Sequence, residues 1–422
     1  MGSGGNSIRG LVRRLGPGLI TGASDDDPSG IGTYTQAGAS LGLATLWTAV
    51  VTLPLMAVVQ HICAKIGMCT GRGLAGVLHK YYPRWLLYPV VLGLVIANTI
   101  NAGTDIAAIA AAINMYLPVP IAVLVVPIAG AIIALQLWGS YHLIVRVFKW
   151  LTLTLFGYVL ASILAHPDWS SVLKATFIPT MRFDPEYLTT LVAILGTTIS
   201  PYLFFWQASE EVEEEMEEGR TSIASRKGAT DDELRAEKID TVTGMLFCNF
   251  VFYFVILAAA STLYGTNGSQ TLSVTAAAQA LRPLAGDAAG ILFAIGLIGS
   301  GLLAVPVLTG SAAYAVAETF GWHSGLNERP RRAKRFYAVI VASTIIGVAL
   351  DFIGIDPMSA MFWTAVINGV VAPPLLVVVM LVSNNRKVMG NRTNGPMTNL
   401  AGWIAAVVMF GAAIGMFVTW TG

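Results

Sequence analysis

Three consecutive carboxylates lie inside an otherwise apolar segment near the start of the chain. Asp25, Asp26 and Asp27 are followed at once by Pro28 and, two residues later, by Gly30. A carboxylate inside a membrane span costs about 2.5–3.5 kcal/mol, so three of them require water, a cation or a polar interior. Pro28 removes a backbone donor and Gly30 is conformationally permissive, which predicts a helix break here. The carbonyl groups freed by a break can join the carboxylates as hard oxygen ligands for a cation.

Two further polar features interrupt apolar segments. Pro201 follows Ser200 and predicts a second break, with a free backbone carbonyl near Thr197. A proline in a membrane helix commonly only kinks it, so Pro201 alone is weak evidence for a break. The break predicted at Pro28 makes a second one at Pro201 more credible. Asp105 is a lone acid within an apolar stretch. Either it contacts an ion or it is a hydrogen-bonding partner for a nearby polar group.

The elements that position these residues are predicted to be membrane-spanning helices. Of the 422 residues 55% are hydrophobic and only 12% are charged, about half the charged share of soluble domains. A span needs ~20 apolar residues, and eleven stretches qualify. They are approximately 16–42, 44–67, 86–114, 119–138, 142–165, 188–209, 240–264, 288–320, 336–355, 358–383 and 398–420.

The distribution of basic residues supports this path. With the N-terminus in the cytoplasm, 22 of the 25 Lys and Arg residues lie on the inside, and only Lys174, Arg182 and Arg282 lie outside. If the first acidic segment were instead a loop between two short spans, every later span would reverse and this bias would be lost. We therefore expect a multi-pass protein of the cell's inner (plasma) membrane, in agreement with the lack of a recognisable signal peptide at the start of the sequence.

The two predicted breaks lie in spans one and six, five spans apart, and therefore in helices of opposite direction. This arrangement predicts an inverted repeat of five plus five helices within a single domain, 1–422. The repeats would cover approximately 16–165 and 188–383, with an extra helix at 398–420.

Two other features are open to simpler interpretations. Cys63, Cys69 and Cys248 show no disulfide or zinc-site spacing and are predicted to be small buried hydrophobic residues. The acidic stretch Glu210–Glu218 is either a solvated cytoplasmic helix extension or a vestibule that attracts cations.

Several of these motifs in combination resemble the NRAMP family of divalent metal transporters, over nearly the whole chain. Residues 16–18 and 27–30 resemble the family's G-P-G opening and D-P-G-N break, and residues 36–39 its E/Q-A-G-A. Thr104 and Asp105 resemble the start of its T-D-L-A-E, and residues 196–202 lie where it has G-A-T-V-M-P-H. The resemblance implies an all-α membrane protein with a LeuT-like fold, broken first and sixth helices, and alternating access.

The resemblance also implies a metal site and shows where this chain departs from the family. Asp27 keeps the family's Asp ligand, Gly30 replaces its Asn, Thr197 occupies the position of the carbonyl ligand and Ser200 replaces its Met. The predicted metal-site residues, with two further acids added, are Asp26, Asp27, Gly30, Thr197, Ser200 and Asp105.

Without the Met thioether, the predicted site lacks its soft ligand and keeps hard oxygen ligands. Such a site favours Mg²⁺ and can also bind Mn²⁺. The pattern is similar to the NRAMP-related magnesium transporters. Tyr202 and Ala108 stand where the family has a His and a second acid, so obligatory proton coupling is not expected.

Alternative functions make different demands on the sequence. A proton-coupled Mn²⁺/Fe²⁺ transporter of the NRAMP type is the nearest alternative. An amino-acid or organic-cation carrier of the same fold would have a break without acids, and an intramembrane aspartyl protease would need a Gly-x-Gly-Asp motif that is lacking. We expect a transporter and not an enzyme, with a divalent cation as substrate, a lipid bilayer as surroundings, no cofactor, no nucleic acid and no obligatory protein partner.

Overall fold

The computed structural model describes residues 16–139, 153–265 and 272–420, and every regular element in these ranges is helical. In chain order the α-helices are α1 Pro17–Asp25, α2 Pro28–Leu41, α3 Trp47–Thr70, α4 Leu74–Tyr81, α5 Arg84–Asn114, α6 Ile121–Trp138, α7 Gly157–Leu164, α8 Trp169–Phe177, α9 Pro185–Thr198, α10 Pro201–Glu217, α11 Ile223–Arg226, α12 Asp231–Thr262, α13 Val274–Ala278, α14 Arg282–Ala285, α15 Ala289–Phe320, α16 Lys334–Asp351, α17 Pro357–Ser383, α18 Arg386–Met389 and α19 Pro396–Trp420.

Within the described ranges, eight helical segments are long and apolar enough to cross a membrane, with α9 and α10 counted together. Three of the eleven predicted spans do not reach that standard, each for its own reason. The first is divided into α1 and α2, of 9 and 14 residues. Residues 142–152 of the fifth lie outside the described part, and its described remainder includes α7, of 8 residues. The ninth corresponds to α16, which has charged residues at both ends.

Hydrogen bonds near the helix ends agree with helices that alternate in direction. At one end of α3, the Trp47 indole donates a hydrogen bond to the Tyr187 hydroxyl, near the start of α9, at 3.1 Å. At the other end, the Lys65 ammonium donates to the Thr393 carbonyl and to the Asn394 side chain, both at 3.2 Å. The segments that precede α3 and α9 thus lie at one end of the molecule, and those that follow α3 and α17 lie at the other.

Glycines allow the broken helices to touch their neighbours backbone to backbone. A methyl group on Gly22 of α1 would overlap the Gly244 carbonyl group of α12. A methyl group on Gly196 of α9 would likewise overlap the backbone of Gly369 in α17. Small residues give this close approach in membrane helices, where packing replaces the hydrophobic effect as the driving force. Each break is therefore held against a continuous helix by a glycine pair.

The two broken pairs cross at the centre of the bundle. α2 packs against α9, α12, α17 and α5, and α10 packs against α3, α15 and α1. The division into repeats at about 16–165 and 188–383 remains a prediction.

Candidate metal site

The first break consists of Asp26 and Asp27, between α1 and α2. Asp27 is the N-cap of α2: its Oδ1 atom accepts the Gly30 N–H at 2.6 Å, and both carboxylate oxygens lie 2.9 Å from the Ser29 hydroxyl. Pro28 occupies the first helical turn, where its missing N–H is tolerated. The predicted break is therefore confirmed, with the local sequence Asp-Pro acting as a helix start.

Gly30 lies inside α2, and because it has no side chain it leaves space between the first break and α9. A methyl group added there would lie 2.9 Å from the Thr197 hydroxyl and 3.1 Å from Asp27 Oδ1. The absence of a side chain thus keeps the first break open towards α9. Gly30 can offer an ion only backbone atoms, and its N–H already donates to Asp27.

The second break consists of Ile199 and Ser200, between α9 and α10. Pro201 has no N–H, so the Thr197 carbonyl lacks the donor that a continuous helix would supply. The Ser200 hydroxyl donates to that carbonyl at 2.5 Å and lies 3.3 Å from Asp25 Oδ1. The second break is confirmed, and the two breaks are in direct contact.

Helix α5 contributes two polar side chains from one face. The Asn101 amide donates to Asp27 Oδ2 at 2.9 Å, and Asp105 Oδ1 accepts the Ser29 N–H at 3.2 Å. Residues four apart lie on the same side of a helix, so the spacing from Asp105 could have identified Asn101. Asp105 does act as a hydrogen-bonding partner, as one of its two interpretations expected, while its Oδ2 atom stays unbonded within the described part of the chain.

Helix α12 brings in Cys248, which the sequence analysis did not assign to the site. It is buried, as expected, but its thiol lies 3.2 Å from Asp25 Oδ2 and 3.5 Å from Asp26 Oδ1, to which it donates hydrogen bonds. No sequence signal separates it from Cys63 or Cys69, because the contact spans more than 220 residues. The site therefore contains one soft atom beside its oxygens.

Four carboxylates are buried at the meeting point of the breaks. Asp25, Asp26, Asp27 and Asp105 are each at most 2% exposed, and none pairs with a described Lys, Arg or His. Unpaired buried charge is strongly unfavourable, so the arrangement calls for a cation or for protons. Asp26 Oδ2, Asp105 Oδ2 and Asn101 Oδ1 have no hydrogen-bond partner in the described residues and are free to act as ligands.

No three Asp, Glu, His or Cys side chains in the described ranges are placed to hold a metal ion directly. An ion bound between the breaks would therefore also use carbonyl, hydroxyl and water oxygens, as hard divalent cations do. All six predicted site residues lie in this region: Asp26, Asp27, Gly30, Thr197, Ser200 and Asp105. Their role as ligands remains a prediction.

Comparison with known proteins identifies the fold. The chain superimposes on the Eremococcus coleocola manganese transporter with a TM-score of 0.76 at 18% identity, covering 99% of this chain and 88% of that one. It also superimposes on Mhp1, a nucleobase-cation-symport-1 family transporter, with a TM-score of 0.59 at 13% identity, covering 96% and 92%. The predicted LeuT-like helical membrane fold is thus confirmed.

Sequence relatives cover almost the whole chain. The divalent metal cation transporter MntH of Deinococcus radiodurans is 26% identical over 426 residues, which are 99% of this chain and 92% of the relative. The MntH of Bacillus subtilis is 27% identical over 410 residues, 95% and 91% of the two chains. The profile of the family described as "Nramp: Natural resistance-associated macrophage protein-like" matches residues 18–419. The chain therefore belongs to the Nramp family of divalent metal cation transporters, as its motifs indicated, and is a transporter rather than an enzyme.

Proposed function

We propose that this chain imports Mn²⁺ by alternating access, and that the ion binds where the two helix breaks meet. The observation that supports this best is the set of four buried carboxylates without a cationic partner. Carboxylate, carbonyl and water oxygens suit Mn²⁺. The choice of metal follows the similarity to the Eremococcus coleocola protein, which is named a manganese transporter.

Mg²⁺ is the second candidate. The sequence analysis placed it first, but the relatives' names give it no support. What favours Mg²⁺ is that Ser200 supplies a hydroxyl where the family has a thioether, since Mg²⁺ prefers oxygen ligands and retains several waters. Cys248 works against this preference because a thiol adds a soft donor beside Asp25 and Asp26.

The burial of the site means that the protein must open before an ion can enter or leave. Asp27 is 2% exposed and Ser200 1% exposed, so the site is closed in this conformation. Passage then requires α1 or α2, or their counterparts α9 and α10, to move away from the continuous helices.

We further propose that the N-terminus faces the cytoplasm, in the inner (plasma) membrane. The strong bias of Lys and Arg towards the loops on that side supports this orientation. In this orientation, α1 and α10 lie on the cytoplasmic side of the two breaks, and α2 and α9 lie on the outer side. No obligatory protein partner is proposed.

The test is metal influx into proteoliposomes, with Mn²⁺, Mg²⁺ and Ca²⁺ supplied singly and in competition. We expect saturable Mn²⁺ influx above that of protein-free liposomes. If Mg²⁺ is also carried, excess Mg²⁺ slows Mn²⁺ entry and itself accumulates. Folded protein without Mn²⁺ influx would contradict the proposal, and Mg²⁺ influx alone would favour the second candidate.

A further inference from the structure

The acidic stretch after the second break forms a stripe along one face of α10. Glu211, Glu214, Glu215 and Glu218 follow the i, i+3, i+4, i+7 spacing of a single helix face. Glu211 and Glu215 are only 4% and 5% exposed, whereas Glu214 and Glu218 are exposed. The interpretation as a solvated extension thus does not hold for the two buried acids, and the four acids repel one another at close range unless something neutralises them.

The stripe lines a cavity of about 160 Å³ on the proposed cytoplasmic side of the break region. Residues of α12 and the start of α1 also line it. Seven carboxylates border the cavity: Glu211, Glu214, Glu215, Glu218, Glu233, Glu237 and Asp240. Arg220 pairs with Glu215, Glu218 and Glu233, and His61 with Glu237, so Glu211, Glu214 and Asp240 have no ion pair in the described ranges. At about 30 Å³ per water, the cavity has room for several waters or for a hydrated ion.

Two carboxylate oxygens in this cavity wall lack a partner. Glu215 Oε2 and Asp240 Oδ1 are buried and form no hydrogen bond within the described ranges. Asp240 Oδ2 accepts the Gly18 N–H at 2.7 Å, which fixes the carboxylate beneath the first turn of α1. The other oxygen of Glu215, Oε1, lies 3.4 Å from Arg220. Buried acceptors without donors are rare and costly, so both unpartnered oxygens favour a bound cation or water beside them.

A chain of polar side chains connects the cavity to the break region. Thr21 of α1 hydrogen-bonds to Gln207 of α10 through their side chains, and the Gln207 amide donates to Glu211 at 2.8 Å. Thr21 lies one helical turn before Asp25. The hydrogen-bonded contacts therefore run from Thr21, one turn before the first break, to Glu211 in the acidic stripe.

We propose that this cavity is a second divalent-cation site, which holds the ion through its water shell. The carboxylates around the cavity outnumber the described cationic groups that pair with them, which attracts a divalent cation, yet no three of these acids in the described part of the chain are placed to bind it directly. Hard cations such as Mg²⁺ release water reluctantly and are often held this way. That an imported ion passes this cavity on its way to the cytoplasm rests on the proposed function, whereas the binding of a cation to the cavity does not.

Equilibrium dialysis of the full-length protein in detergent against Mn²⁺ tests this site. We expect two Mn²⁺ per wild-type chain, one for Asp27→Asn, and one for the double variant Glu214→Gln/Glu215→Gln. Glu217→Gln is the matched control, because Glu217 lies on another face of α10, 2.5 Å from the Asn327 amide, and should leave two. A double variant that binds as many ions as the wild type would overturn the inference.

A second measurement needs no mutation in the cavity. Cobalt(III) hexaammine mimics a hydrated divalent ion but cannot exchange its ligands, so it should displace Mn²⁺ from the cavity and not from the break region. We expect it to remove one Mn²⁺ from the wild type and the remaining one from Asp27→Asn. Failure to displace any ion would refute the site. Two bound Mn²⁺ without influx would refute only the proposed function, and influx with a single bound Mn²⁺ would refute only this inference.

Discussion

At the scale of single residues, Asp27 has two roles that a mutation can separate. It caps α2 through the Gly30 N–H and also belongs to the buried carboxylate cluster. Loss of a helix cap costs about 0.5–2 kcal/mol, so removal of the Asp27 carboxylate should also destabilise the fold. We expect Asp27→Ala to lower the thermal unfolding midpoint in detergent and Asp27→Asn, which keeps a capping oxygen, to leave it nearly unchanged. Equal midpoints for the two variants would show that the cap is unimportant.

Cys248 should contribute to the choice of metal. Its thiol is the one soft donor that the described residues place against Asp25 and Asp26. Cys248→Ser keeps the size and a hydroxyl donor but removes the sulfur. We expect its affinity for Cd²⁺ to fall relative to Mn²⁺, because soft ligands favour soft metals. The check is calorimetric titration of both ions into wild type and variant, with Cys63→Ser as a control, and an unchanged ratio would remove Cys248 from the site.

Ser200 permits the opposite change. Ser200→Met places a thioether where the two breaks touch, beside the Thr197 carbonyl. We expect Cd²⁺ and Mn²⁺ binding to strengthen relative to Mg²⁺. Ser200→Leu adds similar bulk without sulfur and serves as the control. If folded Ser200→Met and Ser200→Leu show the same metal preference, the sulfur does not reach the ion.

At the scale of elements, the glycine contact between α1 and α12 sets the position of the first break. Gly244→Ala would push these backbones apart, whereas a methyl group on Gly93 of α5 meets no atom within 4 Å. We expect Gly244→Ala to reduce both thermal stability and Mn²⁺ influx, and Gly93→Ala to change neither. Unaltered influx through Gly244→Ala would mean that this contact is not needed for the transport cycle.

The helix breaks could be predicted from the sequence because they are local. Pro28 and Pro201 each lack a backbone donor, and Asp27 immediately precedes Pro28. The residues that cap and start each new helix are therefore neighbours in the sequence. Contacts between distant segments could not be predicted in this way. Cys248 reaches Asp25 only because glycine pairing brings α12 against α1.

The acidic stripe shows a different limit of the sequence. Its composition was compatible with a solvated helix, the simpler interpretation, and with a vestibule, since a charge pattern does not reveal which face another helix covers. The path of α12 buries Glu211 and Glu215 in the cavity wall but leaves Glu214 and Glu218 exposed.

At the scale of the whole molecule, the account predicts metal entry without obligatory proton transfer. Tyr202 takes the place of the family's His, and its hydroxyl is engaged with the Ser24 carbonyl at 2.9 Å. Two positive charges gain about 4.6 kcal/mol per 100 mV of inside-negative potential, so the ion has a driving force of its own. In liposomes containing a pH-sensitive dye, with the potential clamped by a potassium gradient and valinomycin, we expect influx without acidification. Acidification at a fixed ratio to metal would identify a coupled carrier and implicate Asp25 or Asp26.

If a divalent cation crosses the membrane through the carboxylates between the two breaks, the loss of one of these carboxylates should slow its entry. The initial rate of Mn²⁺ influx into proteoliposomes at a clamped inside-negative potential, for wild type, Asp27→Asn and Glu217→Gln, measures this effect. Loss even of a group that supports a metal ligand costs about 10–100-fold in affinity or activity, so Asp27→Asn should be at least about tenfold slower. Glu217→Gln, which alters an acid outside both cation sites, should match the wild type. Wild-type influx through correctly folded Asp27→Asn would contradict the account.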